Sequence, residues 1–87
     1  MTDEQNQHQD VTFLDFIIKN IVSFPEQVVI TRVIDDFGVL ITLKVAKDDM
    51  GKIIGKNGQT VKAVRIILHV IGSKQGNRVN LKIEEPE

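Results

Sequence analysis

The 87-residue sequence predicts one small α+β domain with the element order α-β-β-α-α-β. Three features predict this class: an apolar stripe with helical spacing near the start, two β-branched runs separated by a turn sequence, and two helical segments before a final alternating run. The two helical segments form a connection long enough for parallel pairing of the second and third strands. We therefore expect a three-stranded mixed sheet with three helices packed on one face.

The first helix is predicted over residues 12–24. Thr12 is the expected N-cap, with Asp15 three residues later as in a capping box, and Phe24-Pro25 is expected to end the helix. Four apolar residues at helical spacing form the face expected to pack on the sheet. They are Leu14, Ile17, Ile18 and Ile21.

A β-hairpin is predicted next. The β-branched runs Val28 to Ile34 and Val39 to Val45 flank the turn sequence Asp35-Asp36-Phe37-Gly38. In the second run the alternate residues are all apolar, so one face of this strand is expected to be core. These residues are Val39, Ile41, Leu43 and Val45.

Two helices and a strand complete the domain. A short helix is expected to begin at Lys47-Asp48-Asp49, with one of the two acids as N-cap, and to end by Gly55. A longer helix is expected from about Gln59, with apolar residues around most of its circumference. Its single polar stripe consists of Lys62, Arg65 and His69. The last strand should place Val79, Leu81 and Ile83 in the core.

The folded domain is expected over residues 11–84. Residues 1–10 are polar with almost nothing to bury and are expected to form a disordered tail, and residues 85–87 form a second, short tail. No apolar run reaches the roughly 18 residues that a membrane span needs, and the polar start is unlike a signal peptide. We expect a cytoplasmic protein that does not associate with membranes.

Composition argues against several chemistries. The chain has no cysteine, which excludes disulfides and thiolate-ligated metal sites. Neither Ser23 nor Ser73 has an evident histidine partner, and carboxylates adjacent in sequence do not converge as an acid/base pair by themselves. We expect neither an enzyme nor a bound cofactor or metal.

Charge is distributed unevenly along the chain. Residues 1–43 carry five more acidic than basic side chains, whereas residues 44–82 carry seven more basic than acidic ones. Such asymmetry points to a polyanionic partner for the basic half, although lysines that only solvate a helix face would give the same count.

The sequence Gly55-Lys56-Asn57-Gly58 joins the two predicted helices. Glycine supplies the left-handed backbone angles that so short a connection needs, and its missing Cβ lets a sugar–phosphate chain lie against the main chain. The unpaired N–H groups that open the second helix favour an anion, and lysines stand on both sides. The alternative is that the two glycines only form the turn between the helices and bind no ligand. A P-loop is excluded because Met50 and Asn57 occupy positions where that motif needs Gly and Ser or Thr.

The extended motif Ile54-Gly55-Lys56-Asn57-Gly58-Gln59-Thr60-Val61-Lys62-Ala63-Val64 resembles the signature of the KH-domain family. The element order is similar to the type II version of that fold, and the length is similar to small bacterial RNA-binding proteins with one KH domain. The resemblance implies binding of single-stranded RNA, about four nucleotides in a groove. It also implies a homodimer, or a heterodimer with a larger KH-domain RNA-binding protein.

The resemblance places the groove between the glycine loop with its flanking helices and the last strand with the loop before it. The residues expected to contact RNA are Lys52, Ile54, Gly55, Lys56, Asn57, Gly58, Val61, Lys62, Arg65 and Arg78. For most of them the residues leave a second interpretation open, and for the three lysines it is that they only solvate the surface. Arg65 could simply continue the polar stripe, Arg78 could pair with the acidic tail, and Ile54 and Val61 could be core. His69 is interpreted as an exposed or dimer-face residue.

The function predicted from the sequence is therefore single-stranded RNA binding by a KH domain whose Gly55–Gly58 loop clamps the sugar–phosphate backbone. Its role would be that of a post-transcriptional regulator or RNA chaperone. The alternative is a protein-interaction module on the same scaffold with weak or no RNA binding. That alternative draws on the unusually apolar helix over residues 61–71, which exceeds what one small sheet can cover.

Overall fold

The computed structural model describes residues 9–85, and over this range it has the predicted order α-β-β-α-α-β. The helices and strands are α1 Gln9–Lys19, β1 Val29–Asp35, β2 Gly38–Lys44, α2 Met50–Ile54, α3 Gln59–Lys74 and β3 Val79–Glu84. Three short 3₁₀ turns stand between them, at Pro25–Gln27, Lys47–Asp49 and Lys56–Gly58.

The three strands form one mixed sheet in the order β1-β2-β3. β1 and β2 are antiparallel, while β2 and β3 are parallel and joined through α2 and α3. This confirms the predicted mixed sheet, and it leaves β3 as an edge strand. The placement matters for function because one side of β3 is open to a ligand.

The predicted bounds of α1 were wrong at both ends. The described part of α1 runs from Gln9, and in its first turn the buried carboxylate of Asp10 accepts a hydrogen bond from Arg32 Nε on β1 at 3.3 Å. Thr12 therefore lies inside the helix and is not its cap. Residues 9 and 10, which the sequence assigned to the tail, belong to α1, and the rest of that expected tail lies outside the described residues.

α1 ends at Lys19, five residues before the predicted stop. The side chain of Asn20 donates to the carbonyl of Phe16 at 2.6 Å, which satisfies one helix carbonyl without a further turn. The amides of Ser23 and Phe24 donate to the carboxylate of Asp49 instead of to helix carbonyls. The path of the chain after α1 is thus set by Asp49, a residue 26 positions beyond Ser23, and helix periodicity does not report such a contact.

The core lies between the sheet and the helices. The predicted inner face of β2 is confirmed, since Val39, Ile41 and Leu43 are buried, as is Val45 just beyond the strand. The rest of the buried apolar core comes from α1, α2, α3 and β3. These residues are Leu14, Ile18, Ile53, Val64, Leu68, Val79 and Leu81.

α3 is less buried than its composition suggests. Of its residues only Val64, Leu68 and Gly72 are buried, and Gly72 is required because a Cβ there would collide with Val79 of β3. One flank of the helix leaves apolar side chains in solvent. We call this flank the α3 apolar stripe; it consists of Ala63, Ile66, Ile67 and Val70.

Over residues 9–85, the structure contains no helix that combines the length and the apolar character needed to cross a membrane.

Candidate nucleic-acid interface

The loop between α2 and α3 has the backbone that its glycines predict. Gly55, Asn57 and Gly58 have positive φ angles of 75°, 58° and 75°, and the Gly58 amide donates to the Gly55 carbonyl at 3.2 Å. Three of four residues therefore occupy angles that L side chains rarely adopt, and asparagine is among the residues that tolerate them best. The loop is a tight corner between two helices and leaves the main chain at the surface.

Glycine suits the two positions Gly55 and Gly58 of the loop for different reasons. Gly55 has φ 75° and ψ 177°, a region essentially restricted to glycine, and a Cβ there would lie 2.9 Å from the amide nitrogen of Thr60. At Gly58 a Cβ would meet nothing within 4 Å. Gly55 is thus required by packing against the start of α3, whereas Gly58 faces open space where a ligand can approach the main chain.

The first turn of α3 begins beside Gly58, and its first amide, that of Gln59, donates to the carbonyl of Lys56. Gly58 is the residue that precedes the helix, and it provides no side-chain cap for the amides that follow. Unpaired N–H groups and the positive end of the helix dipole favour a negatively charged group at this position. A phosphate of a nucleic-acid backbone has the charge and the acceptor atoms that these donors need.

Two lysines flank these donors. Lys56 in the loop and Lys62 one turn into α3 are exposed, and neither forms an ion pair within residues 9–85. Asn57, between the glycines, is exposed as well. These side chains are therefore available to neutralise and contact successive phosphates.

Lys52 is placed differently from the other lysines. Its Nζ contacts the hydroxyl of Ser23 and lies 3.6 Å from the Oδ1 of Asp49. Its side chain remains about half exposed, so it contributes positive charge near the loop while it is held by the protein itself. An RNA contact by Lys52 stays a prediction, and any such contact competes with these intramolecular partners.

Asp49 is the residue that organises this corner. The carboxylate is fully buried and accepts hydrogen bonds from the amides of Ser23 at 2.9 Å and Phe24 at 3.0 Å. Burial by itself would raise the pKa of Asp49, but the two amide hydrogen bonds and the ammonium of Lys52 outweigh burial and hold the pKa below its usual value. Asp49 is the N-cap residue of α2, as predicted, but its carboxylate makes no capping hydrogen bond and instead ties the segment after α1 to α2.

The groove predicted from the sequence would continue from the loop between α3 and β3. Arg65, one turn beyond Lys62, donates from Nε to the main-chain carbonyl of Leu81 at 3.3 Å. Because β3 is the edge strand, this carbonyl belongs to the open side of the sheet. The polar stripe of α3 thus forms one wall of the groove and the edge of β3 forms the other.

The structure separates the two interpretations of Ile54 and Val61. Ile53, not Ile54, enters the core, and Ile54 is 39% exposed at the end of α2 beside the loop. Val61 is partly buried and packs against the core cluster. Ile54 is therefore the apolar side chain available to a bound base, while Val61 mainly supports α3.

Arg78 lies at the opposite end of α3 from the loop. With His69 and Asn80 it lines a cavity of about 610 Å³, to which no residue of the Gly55–Gly58 loop contributes. Within residues 9–85, Arg78 makes no ion pair, so neither Glu84 nor Glu85 holds it. From the sequence, Arg78 is predicted as an RNA contact, whereas His69 is interpreted as an exposed or dimer-face residue and Asn80 is not predicted as a site residue.

No group of three or more histidine, aspartate or glutamate side chains within the described part of the chain is arranged to bind a metal ion. The groups at the loop and along the groove are hydrogen-bond donors, cations and one exposed isoleucine. Such an arrangement suits recognition of an anionic chain.

The comparison with known protein families agrees with this geometry. A family model described as KhpA/KhpB, KH domain, matches residues 11–83, a range that includes the loop and both walls of the groove. The chain belongs to this family. Its order of helices and strands is that of the type II KH fold, and the matched range includes Gly55–Gly58.

Several named KhpA proteins are similar to the chain over most of its length. RNA-binding protein KhpA of Chlamydia pneumoniae is 48% identical over 73 residues, which are 84% of this chain and 94% of the relative. The protein of the same name from Listeria monocytogenes is 42% identical over 69 residues, or 79% and 91% of the two chains. That of Clostridium acetobutylicum is 37% identical over 70 residues, or 80% and 93%. All three names describe RNA-binding proteins and none describes an enzyme.

Proposed function

We propose that this protein binds single-stranded RNA in the groove that starts at the Gly55–Gly58 loop and continues between α3 and β3. The observation that carries the proposal is the open main chain at Gly58, where a Cβ would meet nothing within 4 Å, beside the uncapped start of α3. The names of the KhpA relatives support RNA as the ligand. The groove of a KH domain takes about four nucleotides.

The backbone of the RNA is held first. A phosphate accepts hydrogen bonds from the amides at the start of α3. Lys56 and Lys62 neutralise the neighbouring phosphates of the strand. Because these contacts involve phosphates, they fix the position of the strand without selecting its sequence.

The bases then enter the groove. Ile54 offers apolar surface, Arg65 offers a planar guanidinium, and the open edge of β3 offers main-chain donors and acceptors. The groove has no Trp or Tyr platform, and all four phenylalanines precede the loop in sequence. We therefore expect modest affinity and little base preference, because each stacked base otherwise adds about 1–3 kcal/mol.

The test is a double substitution in the loop. Lys56→Asp with Asn57→Asp should abolish binding of a short unstructured RNA, measured by fluorescence anisotropy, and leave the circular dichroism spectrum unchanged since both side chains are exposed. A matched control exists in the same chain: Lys19→Asp with Asn20→Asp changes the same two residue types and the same net charge at the end of α1. A folded loop variant that binds RNA as the wild type does would contradict the proposal.

Self-association through the α3 apolar stripe is a second proposed activity. Ile66, Ile67 and Val70 are 54%, 43% and 63% exposed. Between α1 and α3 lies an apolar cavity of about 360 Å³ next to the stripe. We infer that a second copy, or a larger KH-domain protein, covers this surface, because contiguous exposed apolar side chains mark interaction sites.

Sedimentation at micromolar concentration tests this second proposal. Ile66→Lys should shift the protein to the monomer, whereas Val33→Lys on the outer face of the sheet, which replaces a valine of similar exposure (50%), should not. A wild-type protein that is strictly monomeric would contradict self-association. Both activities suit a cytoplasmic post-transcriptional regulator or RNA chaperone, which is the role we propose.

A further inference from the structure

We propose that the cavity at the C-terminal end of α3 is a second RNA subsite that takes one unpaired base beyond the nucleotides held in the groove. This inference rests on the proposed RNA binding. The cavity has a volume of about 610 Å³, within the range of roughly 300–1,000 Å³ that small-ligand sites occupy.

The cavity lies on the path of the strand. Two residues that line the cavity lie next to the contact between Arg65 and the Leu81 carbonyl. His69 follows Arg65 on the polar stripe of α3, and Asn80 precedes Leu81 on β3. His69 is eleven residues beyond Gly58, about 16 Å along the helix at 1.5 Å per residue. An RNA that starts at the loop and follows the groove therefore reaches this cavity only after it has passed Arg65.

The lining has the chemistry of a base site. The imidazole of His69 and the guanidinium of Arg78 are planar groups on which bases stack. The amides of Asn77 and Asn80 and the hydroxyl of Ser73 offer donors and acceptors for the edge of a base. Of the described residues that line the cavity none is acidic, so nothing in the lining repels the phosphate that accompanies the base.

The wall of the cavity is fixed before any ligand arrives. The amide of Asn77 donates to the carbonyl of Gly72 at 2.8 Å, and Gly76 completes the turn with φ 78°. The carbonyl of Arg78 in turn accepts from the amide of Val39 at 2.7 Å, which anchors the strand end to β2. A site whose backbone is held on both sides loses little conformational freedom on binding.

The test compares two unstructured RNAs, of four and of eight nucleotides, on three proteins: the wild type, a subsite variant and a control variant. The subsite variant is His69→Ala with Asn80→Ala, which removes a planar group and a side-chain amide from the lining and leaves Arg78 in place. The control is Lys74→Ala, which removes a cation at the same end of α3 from a residue that does not line the cavity. Affinities are measured by chemical-shift titration, which also shows whether the folded state is kept.

The expected result is a loss of at least about fivefold in affinity for the longer RNA in the subsite variant, the equivalent of about 1 kcal/mol, with affinity for the shorter RNA unchanged. In the wild type, the resonances of His69 and Asn80 should shift with the longer RNA only.

Three results would overturn the inference while RNA binding itself stands. These are equal affinity of variant and wild type for the longer RNA, an equal loss for both RNAs, and a change in sedimentation of the variant without a change in RNA affinity. The last result would assign the cavity to a protein contact. A wild-type protein that binds neither RNA would instead overturn the proposed function, and the inference with it.

Discussion

The Nε of Arg65 on α3 donates a hydrogen bond to the main-chain carbonyl of Leu81 on β3, at 3.3 Å. A residue of the exposed polar stripe thus reaches the edge strand and links the two walls of the groove. Arg65 is both an RNA contact predicted from the sequence and a structural contact, and the two roles are separable by experiment.

Arg65→Ala should lower the free energy of unfolding by about 1 kcal/mol, the usual net worth of one hydrogen bond, and should weaken RNA binding severalfold. Arg65→Lys should lose similar stability, because the planar donor is gone, but keep more RNA affinity because the charge remains. Urea unfolding and anisotropy measure the two quantities. Equal RNA affinity in all three proteins would remove Arg65 from the interface.

The two loop glycines should respond differently to alanine. Gly55→Ala should cost about 3 kcal/mol of stability or more, since its backbone region is essentially restricted to glycine and the new methyl meets Thr60. Gly58→Ala should cost only about 1 kcal/mol, because its space is open and a left-handed residue is mildly strained.

Gly58→Ala should nevertheless weaken RNA binding, as the methyl group holds the sugar–phosphate chain away from the amides of α3. Thermal unfolding and RNA titration of both variants test this pair of expectations. A Gly58→Ala protein with wild-type RNA affinity would show that the strand does not lie against this part of the main chain.

Acid should destabilise the protein through Asp49. Its pKa is lower in the folded protein than in the unfolded chain, so its contribution is complete above the ordinary value of 3.8 and is lost as the pH falls through the folded pKa. Asp49→Asn should be less stable at neutral pH and should show a flatter pH dependence below pH 4. Urea unfolding midpoints, measured from neutral to acidic pH, report both the stability and its pH dependence. If the midpoints of the wild type and of Asp49→Asn changed equally with pH, this role of Asp49 would be contradicted.

RNA binding should weaken with salt in proportion to the phosphates contacted. Two to four such contacts, around Lys56, Lys62 and the start of α3, predict a slope of about −1.5 to −3 in a plot of log affinity against log salt, from roughly −0.7 per contact on a single strand. Lys62→Ala should reduce the magnitude of the slope by about one contact. A slope near zero would mean that phosphates do not hold the strand.

Local patterns in the sequence predicted much of this structure. The alternation at Val39, Ile41 and Leu43 identified the inner face of β2, and the connection through two helices predicted its parallel partner. The glycine loop was placed correctly between α2 and α3 because glycine is required by the backbone angles of the loop itself. These features depend on residues close to each other in the chain.

The misplaced features depend on distant partners. α1 includes Asp10, whose carboxylate accepts a hydrogen bond from Arg32, and the chain after α1 is held where Asp49 takes the amides of Ser23 and Phe24. The contacts of Lys52 with Ser23 and the contribution of His69 to a cavity at the start of β3 likewise arise only when separate segments meet. Periodicity and capping rules do not contain this information.

The most direct test of the central claim is a titration of the isotope-labelled protein with an unstructured RNA, followed by the backbone amide resonances. The account predicts that the largest shifts fall on Gly55–Gly58 and on Gln59 and Thr60 at the start of α3, with smaller shifts along β3. Binding that leaves these amides unmoved, while residues of the outer sheet face such as Val33 and Leu40 shift, would contradict it.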